Sequence, residues 1–234
     1  MNIGGFLPVS LSDYPGHVAA VVFTQGCNFR CPFCHNGNLI PLARPACDLL
    51  CEEEILKSVA ARRGKLDAVV VSGGEPTLQP DLPEFLHELK KLGYAVKLDT
   101  NGSRPDVLES LLKSKLIDYV AMDIKAPLPF YGRLAGVTID VSAIRQSIEL
   151  LSRGGIDHEF RTTEVRPLLD AGDMNEIRAL VPSESTHRIQ PFRREHALAG
   201  WLRQSEAEQP TQRARMQPRI EQAVATGGID EHQA

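Results

Sequence analysis

The sequence predicts an α/β fold, a partial, open (β/α)6 barrel of the TIM-like kind. Short, nearly continuous apolar runs alternate with amphipathic stretches about six times along the chain, and such alternation gives a parallel sheet covered by helices. Polar motifs follow the apolar runs, at the strand ends where parallel sheets bind their ligands. A full barrel has about eight such units, so this sequence favours a barrel that stays open.

The predicted strands are rich in β-branched residues or nearly continuous in apolar ones, which is typical of strands buried on both faces. They cover residues 18–24, 68–72, 95–100, 119–124, 158–165 and 188–191. Helical periodicity predicts the elements between them, with Gly93 ending one helix and Ser103 capping another before Pro105. These helices cover residues 52–63, 82–92, 105–114, 143–153 and 174–180.

Composition and charge limit the class of protein. The chain has 234 residues and a net charge of -4, which argues against a nucleic-acid binder with a broad basic surface. Its longest apolar run, at 18–23, is too short to cross a membrane, and no secretory signal is recognisable, so we expect a cytoplasmic protein. Thiols stay reduced in that compartment, where clustered cysteines bind metal or do redox work.

We predict one barrel domain over residues 1–200, followed by a tail over 201–234. The tail has few large apolar residues and is rich in Gln and Glu. Such a composition buries too little apolar surface to hold a fold. The prediction is therefore a mobile segment with a short helix around 219–225.

The segment TQGCNFRCPFCHN holds three of the five cysteines, Cys27, Cys31 and Cys34. A zinc site is one interpretation, with His35 or a distant residue as its fourth ligand. Buried structural cysteines with an accidental spacing are another. A [4Fe–4S] cluster with three protein thiolates is the third, and it would leave one iron open to a ligand that is not protein.

A second C-x-x-x-C, formed by Cys47 and Cys51, lies just before the helix predicted at 52–63. A second cluster would need more ligands than the neighbouring sequence supplies. Because free cysteine often behaves as a small hydrophobic residue, we interpret this pair as two ordinary thiols.

The motif SGGEPT follows the second predicted strand and contains Gly73, Gly74 and Glu75. Two glycines in a row permit backbone angles and close approaches that a Cβ forbids. A tight turn between strand and helix explains them as well as a ligand does.

Charged residues end the next three strands. DTNG carries Asp99, DIK carries Asp123 and Lys125, and Arg161 lies within the fifth predicted strand. A buried aspartate needs a partner. Each aspartate either binds a ligand, or caps a loop or pairs with Lys125. Arg161 offers a carboxylate its bidentate fork if it points into the barrel.

The spacing C-x-x-x-C-x-aromatic-C, here with Phe33, closely resembles the signature of the radical S-adenosylmethionine enzymes. The resemblance covers roughly residues 1–195 and is specific only at its start. It implies the partial barrel of that family and a [4Fe–4S] cluster on the three cysteines, with S-adenosylmethionine chelating the open iron.

The resemblance also implies a site for S-adenosylmethionine. The implied contacts are Phe33 near the adenine; Gly73, Gly74 and Glu75 at the ammonium group; Asp99, Asp123 and Lys125 around ribose and carboxylate; Arg161 at the carboxylate; and, without an assigned group, Asn101. In related activating enzymes a monovalent cation also lies among the matching aspartates, which would involve Asp99, Thr100 and Asp123 here.

The lead-in GFLPVSLSDYPGHVAAVVFTQGCNFRCPFCHN resembles that of activating proteins of anaerobic ribonucleoside-triphosphate reductase. Such proteins cleave S-adenosylmethionine reductively to methionine and a 5′-deoxyadenosyl radical, which takes a hydrogen atom from a glycine of the reductase. The implied partners are that glycyl-radical reductase and a one-electron donor such as flavodoxin or ferredoxin. Arg193 occupies a position where some relatives have histidine. We therefore assign no role of that histidine to this chain.

Other interpretations remain open from the sequence. The chain also fits an activase of another glycyl-radical enzyme, such as a formate lyase. It fits an enzyme that modifies a pterin precursor or a tRNA base. A zinc-stabilised binding module without chemistry is the alternative from another class.

Overall fold

The computed structural model describes residues 1–166 and 168–204, which form a seven-stranded sheet in chain order. The strands are β1 (Ile3–Ser10), β2 (Ala19–Thr24), β3 (Ala68–Gly73), β4 (Ala95–Thr100), β5 (Tyr119–Asp123), β6 (Asp157–Glu164) and β7 (Thr186–Pro191). β1 pairs antiparallel with β2, and each later pair is parallel. Within the described ranges β7 does not pair back to β1, so the predicted open barrel is confirmed.

Among the residues that the structure describes, six α-helices connect the strands or follow them. They are α1 (Glu52–Ala60), α2 (Leu82–Lys91), α3 (Pro105–Lys113), α4 (Tyr131–Ala135), α5 (Val141–Arg153) and α6 (Ala171–Leu180). Short 3-10 turns lie at Gly37–Leu39, Ala46–Asp48, Pro76–Leu78, Leu128–Phe130, Arg194–His196 and Gly200–Arg203. In the part of the chain that the structure describes, no helix has both the length and the apolar character needed to span a membrane.

The predicted strands and helices are all present, with ends shifted by at most about three residues. β1 and α4 were not predicted. β1 has the sequence IGGFLPVS, in which two glycines and a proline break the strand pattern, and it lies at the edge of the sheet, where such residues are tolerated. The prediction that Ser103 caps α3 was wrong, because Arg104 is the residue that precedes its first turn.

The two faces of the sheet differ in what they bury. One face carries residues such as Val22, Val71 and Leu98, which pack with the helices in the main core. The other, concave face holds only a small apolar cluster, centred on Val21 and Val70. On that concave face the strands become polar toward their carboxyl ends, and the cavity described below lies there.

The predicted boundary at residue 200 stays a prediction. Leu202 is fully buried and joins the main core, so packing continues a little beyond the boundary. The predicted mobile tail, from residue 205 onward, and its helix around 219–225 lie outside the described residues.

Candidate functional site

The cysteine loop, residues 25–40, leaves the carboxyl end of β2 and folds back on itself. Gly26 donates its backbone N–H to Leu39 at 2.8 Å, and Cys27 donates to Ile40 at 3.0 Å. The buried side chain of Gln25 closes the loop further, because its amide donates to the carbonyls of Asn38 (3.3 Å) and Pro41 (2.8 Å). The loop is thus held at its base by its own polar groups.

The glycine pair after β3 packs directly against this loop. Gly73 has φ of 121°, and a Cβ on Gly74 would lie 2.1 Å from the carbonyl oxygen of Gly26. Glu75 donates its backbone N–H to that same oxygen at 2.8 Å. Both glycines are therefore required by the approach of two backbones, which is the tight-turn interpretation, and they also border the cavity.

Glu75 is fully buried and its carboxylate is hydrogen-bonded on both oxygens. Thr77 donates twice, through its N–H (3.1 Å) and its hydroxyl (2.5 Å), and the hydroxyl of Thr100 donates at 2.7 Å. The N–H of Asn101 donates to the other oxygen at 2.7 Å. Burial raises the pKa of Glu75, and these four donors oppose that shift. The carboxylate therefore ties the GGE turn to the DTNG loop.

Asn101 extends the connection to the cysteine loop. Its amide donates to the side-chain oxygen of Asn28 at 2.9 Å, and Asn28 donates to the hydroxyl of Ser103 at 2.8 Å. The three segments that follow β2, β3 and β4 are consequently joined by hydrogen bonds.

A row of alternating charges crosses the concave face from β4 to β6. Lys97 pairs with Asp99, and Arg161 bridges Asp99 (3.1 Å) to Asp123 (2.9 Å). Lys125 completes the row with Asp123 at 3.2 Å. We refer to these five residues as the charge row. Both aspartates have cationic partners, so the predicted pairing with Lys125 is present for Asp123.

The charge row shifts the pKa values of its own members, Asp123 and Lys125. Burial opposes ionisation of Asp123, but Arg161 and Lys125 outweigh it and lower its pKa to about 2. Burial also disfavours the charged form of Lys125, yet Asp123 more than compensates and raises the pKa of that lysine. The Lys125 ammonium lies 6.0 Å from the centre of the Phe33 ring, so one cation contacts both a carboxylate and an aromatic face.

A cavity of about 230 Å³ opens between the cysteine loop and the carboxyl ends of the strands. All twelve residues predicted to hold the cluster or S-adenosylmethionine line it: Cys27, Cys31, Phe33, Cys34, Gly73, Gly74, Glu75, Asp99, Asn101, Asp123, Lys125 and Arg161. The further lining residues are Phe29, His35, Asn36, Ile40, Ser72, Thr100, Thr163 and Gln190. Thr163 follows Arg161 by two residues, and strand alternation alone places it on the same face.

The three cysteines of the loop border this cavity as free thiols. Burial raises the pKa of Cys27 to about 11 and that of Cys31 to about 12, and it raises the pKa of Cys34 as well. Such thiols become thiolates when a metal displaces their protons.

The donor set fits a [4Fe–4S] cluster, because each thiolate of such a cluster binds a different iron and the ligands need not meet at one ion. In residues 1–166 and 168–204, no three His, Cys, Asp or Glu side chains are grouped around a single metal-ion position.

The second cysteine pair lies elsewhere. Cys47 and Cys51 are both exposed free thiols, and neither is among the described residues that line the cavity. Cys51 immediately precedes α1. This placement agrees with the interpretation of the two as ordinary thiols.

The segment after β7 packs against His35, the residue that follows the last cysteine of the loop. His35 stacks on Phe192 with ring centres 6.0 Å apart, and it meets His196 edge-on at the same separation. Burial, followed by the charges of His196 and Arg193, lowers the pKa of His35. Position 193 itself is an arginine, but His196, three residues further on, contacts His35.

Comparison with known proteins agrees with the geometry. The family model described as the Radical SAM superfamily matches residues 21–178. A protein of Methanocaldococcus jannaschii, named as a glycyl-radical enzyme activating enzyme, is 36% identical over 195 residues, or 81% of this chain and 79% of its own length.

A second relative is the pyruvate formate-lyase-activating enzyme of Clostridium pasteurianum. It is 37% identical over 122 residues, or 50% of this chain, and the match spans 49% of its own length. Among solved structures, SuiB of Streptococcus suis bound to its precursor peptide superposes with a TM-score of 0.61 at 15% identity. That superposition covers 86% of this chain and 45% of SuiB, and at such low identity it is a likeness of fold.

Proposed function

The chain belongs to the radical SAM superfamily, and from that premise we propose that it is a glycyl-radical activase whose protein substrate is anaerobic ribonucleoside-triphosphate reductase. The observation that carries the proposal is the convergence of three loop thiols with four members of the charge row on one cavity, namely Asp99, Asp123, Lys125 and Arg161. The relative from Methanocaldococcus jannaschii, which aligns over most of both chains, supports the activase class. The lead-in over residues 5–36 supports the choice of reductase.

In this proposal Cys27, Cys31 and Cys34 hold a [4Fe–4S] cluster. When bound, the cluster supplies the electron that reductively cleaves S-adenosylmethionine, so that a hydrogen atom can be taken from the partner's glycine. The chain's own task is to bind, to orient and to exclude water. No side chain is required to act as a general base.

The polar groups of the cavity suit the methionine end of S-adenosylmethionine. Arg161 and Lys125 are cations that line the cavity and suit a carboxylate. The GGE turn offers backbone groups, and Phe33 offers a flat apolar surface beside Lys125. The buried hydrogen bonds of Glu75 hold the GGE turn against the DTNG loop.

The open barrel suits a protein substrate. A closed barrel would bury the concave face, whereas six parallel strands and an antiparallel edge leave a side from which a glycine loop can enter. The electron has to come from outside the chain, so we propose a one-electron donor such as flavodoxin or ferredoxin as the second partner.

The experiment that tests this function uses protein reconstituted with iron and sulfide under anaerobic conditions. Reduced protein and S-adenosylmethionine are mixed with the anaerobic reductase, and electron paramagnetic resonance is used to look for the glycyl doublet. We expect the doublet with the reductase, and no doublet when its glycine is replaced by alanine. Methionine and 5′-deoxyadenosine should form alongside it.

The main rival is activation of a formate lyase, which the relative from Clostridium pasteurianum favours. The same experiment with pyruvate formate-lyase separates the two. A doublet with the lyase and none with the reductase would reassign the partner. S-adenosylmethionine cleavage without a doublet on either enzyme would point to a small-molecule or tRNA substrate, and a colourless protein with stoichiometric zinc would overturn the activity itself.

A further inference from the structure

Asp99 has no carboxylate oxygen left without a protein partner. One oxygen accepts a hydrogen bond from the ammonium group of Lys97. The other accepts hydrogen bonds from the hydroxyl of Ser72 (3.0 Å) and from the guanidinium of Arg161 (3.1 Å). Lys97 lies in the middle of β4 with its side chain only 1% exposed. A lysine so deeply buried is rare, and it is retained where its charge has a partner.

The other predicted ligands of a monovalent cation are engaged in the same way. Asp123 accepts from Arg161 at 2.9 Å and from Lys125 at 3.2 Å. The hydroxyl of Thr100 donates to the Glu75 carboxylate at 2.7 Å and accepts the N–H of Gly102 at 3.1 Å. All three side chains that sequence reasoning assigned to a metal ion are therefore bound to the protein.

The charge row also has the wrong balance for a further cation. Three cations, Lys97, Arg161 and Lys125, face two carboxylates, Asp99 and Asp123, which leaves a net charge of 3 − 2 = +1. One surplus positive charge suits the incoming carboxylate of S-adenosylmethionine. Within the charge row, a monovalent metal ion would raise the surplus to two charges, and like charges repel in a confined site. The Glu75 carboxylate, which also lines the cavity, lies outside this count.

We propose that Lys97 is a built-in replacement for the monovalent metal ion of this site. Its ammonium neutralises Asp99 from beneath the cavity, which leaves the Arg161 and Lys125 charges to meet the carboxylate of S-adenosylmethionine. Lys97 is thus a positioning residue that acts through Asp99. The part of the inference that concerns S-adenosylmethionine rests on the proposed function, while the part that concerns the cation does not.

The first test is made on wild-type protein loaded with its cluster. The affinity for S-adenosylmethionine is measured by equilibrium dialysis in KCl and in tetramethylammonium chloride at equal ionic strength, because the larger ion cannot enter a metal site. We expect the two dissociation constants to agree within about twofold. A saturable rise in affinity with KCl would overturn the proposal.

The second test removes the ammonium. Lys97→Met should bind S-adenosylmethionine about tenfold or more weakly in tetramethylammonium chloride, since Asp99 has lost its buried partner. It should recover as KCl is added, because potassium is close to ammonium in size. Lys97→Arg keeps the charge, so its affinity for S-adenosylmethionine should not change with KCl. The control is Lys113→Met, which removes a lysine that is 72% exposed and paired with Glu109.

A third readout is independent of the cofactor. Thermal unfolding of cluster-free protein is compared in the two salts, and KCl should raise the melting temperature of Lys97→Met but not that of wild type or Lys97→Arg. The proposal would be contradicted if KCl changed neither the S-adenosylmethionine affinity nor the melting temperature of Lys97→Met. If Lys97→Met does not fold, the response of wild type and Lys97→Arg to KCl decides the question. Failure of the proposed function has a different signature, namely no S-adenosylmethionine cleavage in either salt.

Discussion

At the scale of single residues, Gly74 occupies a position where two backbones meet. A Cβ there would lie 2.1 Å from the Gly26 carbonyl oxygen, which is backbone and has no rotamer with which to move away. We predict that Gly74→Ala lowers the free energy of unfolding of the cluster-free protein by about 1–3 kcal/mol, as overpacking does. Urea denaturation measures the change.

The control for that substitution is Gly200→Ala. A Cβ at Gly200 meets nothing within 4 Å, so this variant should unfold within about 0.5 kcal/mol of wild type. Equal stabilities of the two variants would show that the turn is free to move away from the cysteine loop.

The carboxyl group of Asp123 gives a second residue-scale prediction. Its pKa is lowered from 3.8 to about 2, so its ionised form stabilises the folded protein fully above 3.8, and that stabilisation is lost as the pH falls toward about 2. Asp123→Asn should therefore be less stable than wild type near neutral pH, and the difference should shrink across this acid window. Denaturation of cluster-free protein at a series of pH values measures it.

Asp157→Asn is the matched control, because Asp157 is exposed at the start of β6. Its difference from wild type should stay small throughout. A constant gap between Asp123→Asn and wild type down to the lowest pH would mean that the ion pairs do not hold the Asp123 pKa low.

At the scale of elements, the cysteine loop depends on one buried amide. Gln25 is 1% exposed and donates to two carbonyls, that of Asn38 within the loop and that of Pro41 directly after it. We predict that Gln25→Leu, which is similar in size, costs about 1–3 kcal/mol because both carbonyls lose a buried donor. Iron content after reconstitution should fall with it, since the loop carries all three proposed ligands of the cluster.

Gln146→Leu tests whether the effect belongs to the loop. Gln146 is exposed on α5 and should tolerate the change in both stability and iron content. Full iron loading by Gln25→Leu would show that the loop forms without its amide bridge.

The elements differ in how far sequence could predict them. The six parallel strands and five longer helices have clear periodicity, and they were predicted with small errors at their ends. β1 was missed because Gly4, Gly5 and Pro8 break its pattern, and its strand geometry comes from pairing with β2. α4 was missed because five residues that include a glycine show no helical period.

At the scale of the whole molecule, the location of the site could be predicted from the sequence, but the contacts between its residues could not. The rule that parallel strands align their carboxyl ends predicted one shared place for the motifs, and the family resemblance supplied the twelve residues, all of which line one cavity. Partners across strands were not predictable, because the bridge of Arg161 from Asp99 to Asp123 depends on register. Lys97 precedes Asp99 by two residues in the sequence, but the sequence did not predict that Lys97 is buried and pairs with Asp99.

The central claim is that the three loop cysteines form the centre that cleaves S-adenosylmethionine. The most direct test compares wild type, Cys31→Ala and the exposed-thiol control Cys47→Ala, each reconstituted and reduced under anaerobic conditions, by the amount of 5′-deoxyadenosine formed from S-adenosylmethionine. Wild type and Cys47→Ala should form it at similar rates, and Cys31→Ala should form none above background. Full cleavage activity in Cys31→Ala would contradict the account.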